Sequence, residues 1–276
     1  MHFTRVQVLS CAAALSAALG CSPSSTATSP PAAASPAEAH AVAPPPAGAG
    51  FDYQIGGAYQ PPGGVKVVTR DHTAAATPGL YNICYVNAFQ AQPGAEGSWD
   101  SDLLLRDANG TVVVDKDWKE ALLDLRTDAK RERIAAKVTG WIDQCAAKGY
   151  QAVEPDNYDS FTRSQNLLSA EDAQAYIRLL SAHAHRQGLA IAQKNTSELS
   201  DQHQRNGLDF AVAEECGEQN NCGEFTSAFG NHVIAIEYTG KGLANACEHW
   251  GDSLSVVRRD RDVSPRGSAK YVRETC

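Results

Sequence analysis

The stretch Tyr150-Gln151-Ala152-Val153-Glu154-Pro155-Asp156-Asn157-Tyr158-Asp159 begins apolar and ends in a dense group of polar side chains. Upstream, Ile134, Val138, Trp141, Ile142 and Cys145 recur at helical spacing between Thr127, placed as an N-cap, and Gly149, which stops the helix. Downstream, Ser169 and Asp172 approximate a capping box, and Tyr176, Ile177 and Leu180 share a helix face that runs to Gly188. Another apolar run, Leu189–Ala192, follows at once and ends in Gln193, Lys194 and Asn195. This strand, helix, strand order is the repeating unit of a parallel α/β fold.

The same rhythm extends in both directions. Apolar runs occur at Tyr53-Gln54-Ile55, Leu80–Val86, Ala121–Leu125, Phe210–Ala213, Val233–Ile236 and Leu254–Val257, with Val65–Val68 as a possible ninth. Their Val, Ile and Ala content suits strands buried on both faces. Eight strands over residues 51–276 predict a single-domain (β/α)8 barrel of the TIM type. The weak point is the connection from Tyr53 to Leu80, where no helical pattern is present.

Residues 1–50 are of another kind, holding Arg5 and Glu38 as their only Asp, Glu, Lys or Arg side chains and seven of the 13 prolines. The uncharged run Val6–Gly20 reads as a signal peptide (residues 1–20), too short for a spanning helix. Ala18-Leu19-Gly20-Cys21 resembles a lipobox, with Cys21 as the lipid-attachment residue, so the protein is expected to be exported, as a cell-surface lipoprotein or secreted. Residues 21–50, rich in Ser, Thr, Ala and Pro, are expected to form a disordered linker because they cannot bury enough apolar surface to offset ordering. Membrane contact is expected only through the lipid anchor, and the protein is expected to be monomeric. Export makes disulfides the natural state of Cys84, Cys145, Cys216, Cys222, Cys247 and Cys276. Six cysteines allow 15 connectivities, of which Cys216–Cys222, Cys84–Cys145 and Cys247–Cys276 is one natural set.

The net charge of −8 argues against a nucleic acid partner and fits a neutral or cationic substrate. No GxSxG elbow, GxGxxG turn or Walker loop occurs. His183 and His185, two apart on a helix, point away from each other, and no metal or cofactor is assigned. What stands out is the polar tail after each run: Asp124 and Arg126; Glu154, Asp156, Asn157 and Asp159; Gln193, Lys194 and Asn195; Glu214 and Glu215; Glu237 and Tyr238. In a barrel such tails meet at the C-terminal rim, where these enzymes keep their active sites. Several carboxylates in one shallow cleft suit glycoside hydrolysis, which needs one acid and one nucleophile or base. Tyr53, Tyr158, Phe161 and Tyr238 are placed to stack on sugar faces.

Taken in order, Val153–Asp159, Gln193–Asn195, Asp209–Cys216 and Ile236–Tyr238 resemble glycoside hydrolase family 114, the endo-α-1,4-polygalactosaminidases. The resemblance spans about Tyr53 to Cys276. It implies a cofactor-free barrel that cleaves α-1,4-linked galactosamine polymers internally, with Asp156 and Glu214 as the catalytic pair. It further implies that Glu154, Asn157, Lys194, Asn195 and Glu237 bind sugar hydroxyls or amines or tune the acids; Asp124, Asp159 and Glu215 join them as rim residues. The chain departs from the family at Ala213 and Glu215, where Asn and Gln are frequent, so that Glu215 competes with Glu214 for the acid role although strand alternation sends only one of them inward, and at Phe51 and Tyr53, where Trp is common. The tail Tyr85–Gln90 lacks an expected acid. Ala213 and the tail without an acid leave the alternative of a non-catalytic carbohydrate-binding barrel, and the same carboxylates would also suit a metal-assisted hydrolase.

Overall fold

The computed structural model describes residues 42–276. Its main sheet takes the order β1 (Phe51–Gln54), β2 (Val67–Asp71), β3 (Tyr81–Asn87), β6 (Ala152–Asp156), β7 (Ala190–Lys194), β8 (Phe210–Glu214), β9 (Val233–Glu237), β10 (Ser255–Arg259) and β11 (Arg273–Glu274). All these pairings are parallel except β10–β11. Since β1 also lies against β10, the parallel strands nearly close into a barrel. β4 (Gln90–Ala91) and β5 (Ala121–Leu122) pair antiparallel in a separate ribbon.

Strand parity divides the apolar side chains into two cores. Alternate residues point inward: Phe51 and Tyr53, Ala152, Ala190 and Ala192, Phe210 and Val212, Ile234 and Ile236 fill the barrel. The alanines on β6 and β7 leave room for the aromatic rings of β1 and β8. Val86, Val153, Ile191, Ala211 and Ala235 point outward into the layer under α1 (Asp128–Ala147), α2 (Ala170–Arg186) and the other helices. Each large side chain buried this way contributes about 1.5–3 kcal/mol. Both long helices begin where capping chemistry predicts. The Thr127 side chain accepts from Lys130 N, and Ser169 and Asp172 form a reciprocal capping box.

α5 (Cys222–Phe229) covers β8 and β9 and α3 (His203–Asn206) packs on α2, while α4 (Cys216–Gln219) and α6 (Gly240–Trp250) pack together beside β9. Cys84–Cys145 ties β3 to α1, Cys216–Cys222 closes the α4 turn, and Cys247–Cys276 pins the C-terminus to α6. Three such bonds suit an oxidising compartment, and each is worth about 2–4 kcal/mol.

Two expectations change. Ala121–Leu125 is not a barrel strand; its place is taken by β2 within the helix-free connection, where residues 56–64 carry Gly56, Gly57, Pro61, Pro62, Gly63 and Gly64. Leu122, Leu123 and Leu125 are buried beneath the helix layer instead. Without a helix on its outer face, β1 is covered by the C-terminal segment: Arg273 donates to Phe51 O at 2.8 Å and lies 3.1 Å from the buried Asp52. The expected linker is also too long at its C-terminal end. Val42 and Ala49 pack on the barrel core, Pro45 is buried, and Tyr81 Oη donates to Ala43 O at 2.6 Å. The signal peptide and Cys21 lie outside the described residues.

Candidate active site

Inward parity continues past the apolar core and sets the site. Above Ala152 come Glu154 and Asp156; above Ala192 comes Lys194; above Val212 comes Glu214; above Ile236 comes Tyr238. Lys194, 1% exposed, is the hub. Its Nζ lies 2.9 Å from Glu154 Oε1, 3.3 Å from Asp156 Oδ1 and 3.4 Å from Glu214 Oε2. It also reaches Tyr53 Oη at 3.1 Å, while Tyr53 donates to Glu154 Oε1 at 2.9 Å.

These contacts give the carboxyl groups distinct characters. Burial pushes the Glu154 carboxyl up, and the adjoining Lys194 ammonium only partly offsets it. Burial acts upward on Asp156 too, but Lys194, the Tyr85 hydroxyl at 2.6 Å and the Asn157 backbone outweigh it and hold that carboxyl below its ordinary range. Asp156 is therefore an anion aimed at the cleft. Glu214 accepts from Asn195 Nδ2 at 3.1 Å and from the Tyr238 hydroxyl, so both its oxygens are oriented.

The chain turns sharply after each of these strands. Asn157, Asn195 and Glu215 take left-handed backbone with φ of 66°, 51° and 59°. Asn tolerates this region, whereas Glu pays about 1 kcal/mol or more. Asp156, Asn157, Asn195, Glu214 and Tyr238 line a cleft of about 400 Å³. It adjoins a second cavity of about 330 Å³ that shares Glu214 but not Asp156. A partly buried anion beside an oriented carboxyl group in an open groove is what glycosidic cleavage requires.

The sequence matches the model of glycoside hydrolase family GH114 over residues 31–276. The chain belongs to this family. Its fold is similar to that of Ega3 from Aspergillus fumigatus, solved in complex with galactosamine, with a TM-score of 0.70 and 19% identity over 86% of this chain and 98% of that one. It is also similar to the glycoside hydrolase domain of PelA from Pseudomonas aeruginosa, with a TM-score of 0.53 and 17% identity over 80% and 97% of the two chains. No curated protein sequence matches it.

Eight of the other expected residues of this family member line the two cavities or lie just beneath them. Asn157, Asp159, Asn195 and Tyr238 line the cleft. Tyr53, Glu154 and Lys194 lie just beneath it, each 1% exposed or less, with Lys194 in contact with both Asp156 and Glu214. Glu215 lines the second cavity, 3.6 Å from Arg261.

Four residues expected on the substrate have other work. Tyr158 is in the core against Phe89 and accepts from Asn206, and Phe161 packs on that same core. Asp124 is buried and paired with Arg126 and Lys130 at 2.7 and 2.6 Å. Glu237 falls on the outward parity of β9 and accepts from Gly217 N at 2.6 Å. A Cβ on Gly217 would sit 2.9 Å from Glu237 Oε1, and one on Gly242 only 2.2 Å from Oε2, so both positions need glycine.

Two of the departures from the family pattern lie away from the reacting groups or are compensated. Ala213 points outward into the helix-facing core. The acid missing from the Tyr85–Gln90 tail is supplied by Glu120, which accepts from Asn87 Nδ2 at 2.9 Å and lines the cleft. Among the described residues, Cys216, Cys222 and Glu237 are the one group of three within metal-ligand reach, and both thiols are spent in a disulfide. Sequence reading missed Glu120, Tyr85 and Trp118, because the first and last stand on the excursion between β4 and β5, outside any strand tail.

Proposed function

We propose that this protein is an endo-acting glycoside hydrolase of α-1,4-linked galactosamine polysaccharides, with Asp156 as nucleophile and Glu214 as general acid and base. The carrying observation is the position of both carboxylates on one ammonium, Lys194 Nζ, at 3.3 and 3.4 Å. Those oxygens are then less than about 7 Å apart, which favours double displacement with retention over the wider spacing of inverting enzymes. Lys194 keeps Asp156 ionised, and Glu154 beneath it balances the ammonium so that it does not oppose the positive charge developing on the sugar. Glu214 hands its proton to the leaving oxygen and then takes one from the water that releases the sugar. A groove open beyond the pair accommodates chain on both sides of the bond.

The test is new reducing ends formed from α-1,4-galactosamine polymer. Asp156→Asn and Glu214→Gln should each lose at least about 10³-fold in rate; wild-type rates in either remove that residue from the chemistry. We further infer export with Cys21 as the lipid anchor, which suits the three disulfides. A Cys21→Ser chain should leave the membrane fraction, and its retention there would refute the anchor.

A further inference from the structure

The cleft carboxylates differ in what already holds them. Asp159 is paired with Arg163 at 2.7 Å, Asp262 with Lys270 at 2.6 Å, and Asp156 and Glu214 share Lys194. Asp71 stands at the end of β2, two strands from β6, with Oδ1 taken by Thr73. Glu120 has no cationic partner among the described residues, and its hydrogen bonds, from Asn87 at 2.9 Å and Asn157 at 3.2 Å, both reach Oε2. No hydrogen bond among the described residues reaches Oε1, and Glu120 lines the cleft.

Its position relative to the chemistry is equally specific. Asn87 is the direct register partner of Asp156 across β3 and β6, and Asn157 is the next residue along the chain. Glu120 is thus one side chain removed from the carboxylate that attacks the anomeric carbon. The substituent nearest to an attacked C1 is the one on C2, and contacts to that position strengthen in the transition state of glycosidases. Trp118, two residues upstream and 55% exposed, presents an aromatic face at the same cleft for the sugar's C–H surface.

We propose that Glu120 reads the C2 substituent of the sugar attacked by Asp156, pairing with the ammonium of a 2-amino-2-deoxy sugar and selecting it over the N-acetylated form. Burial, reinforced by Asp156 and Asp115 and partly offset by the Asn87 amide, lifts its carboxyl to about 7. An arriving ammonium would relieve that penalty, whereas an acetamide would not. The inference rests on the reading of Asp156 and Glu214 as the glycosidic pair.

Two arms test it with α-1,4-linked galactosamine trisaccharides, either with free amines or fully N-acetylated. In the hydrolytic arm, Glu120→Gln should lower the free-amine preference in kcat/KM by at least about tenfold, the worth of a charged hydrogen bond. Glu120→Asp should retain part of that preference. In the binding arm, calorimetry on the Asp156→Asn protein should show selective binding of the free-amine trisaccharide, lost when Glu120→Gln is added. Equal losses on both substrates in both Glu120 variants, or no selective binding by Asp156→Asn, would overturn the assignment. Absence of hydrolysis by the wild type would instead count against the proposed function, with the binding arm still deciding Glu120.

Discussion

Lys194 is buried among Glu154, Asp156, Glu214 and Tyr53, so replacing it strips one buried and two partly buried carboxylates of the cation they share. Lys194→Met should cost about 3–5 kcal/mol of stability, the usual penalty for breaking a buried ion pair. Without the ammonium the Asp156 carboxyl rises, so the nucleophile ionises later and the acidic limb of the kcat/KM profile moves to higher pH. Unchanged melting and an unmoved acidic limb would show that Lys194 does not hold Asp156 charged. At this scale much of the site was legible, because alternation along each strand carries Glu154, Asp156, Lys194, Glu214 and Tyr238 inward. The same rule turns Glu237 outward, away from the cleft and onto Gly217 N. Glu120 was not legible: its neighbours Asn87 and Asn157 are distant in sequence, and only the fold joins them.

Elements are legible in the sequence where local chemistry is explicit and obscure where it is not. α1 and α2 announce themselves by caps and period, and the structure places both within a residue or two of those signals. β2 is short and flanked by glycine and proline, so it read as weaker than Ala121–Leu125, whose leucines are buried for another reason. Asp124 belongs to that segment and joins it to the first turn of α1 through Lys130. Burial would raise its carboxyl, but Arg126 and Lys130 outweigh it and hold it at about 2. Its folded value is depressed, so its stabilisation is present above the unfolded value near 4 and is lost as pH falls through about 2. Asp124→Asn should therefore cost about 2 kcal/mol at pH 7, with the difference shrinking toward zero in acid denaturation below about pH 2. A difference independent of pH would place the cost in packing instead.

For the whole molecule, the barrel was legible from the repeated strand and helix units, but the way it closes was not. The β1–β2 side carries no covering helix, and the C-terminal segment, held by Cys247–Cys276, takes over the outer face of β1. Likewise the proline-rich stretch read as a tether has its last residues, from Val42, seated on the barrel core. Composition identifies such a segment as unable to fold alone, but it carries no information about a surface supplied by the rest of the chain. This arrangement leaves one rim open, and on it the carboxylates converge at a groove. The most direct test of that groove's chemistry follows its reaction by NMR on a defined α-1,4-linked galactosamine hexasaccharide. Retaining, internal cleavage by Asp156 and Glu214 predicts internal fragments whose new reducing ends appear first as the α anomer. Absence of internal fragments, or new ends appearing first as the β anomer, would contradict it.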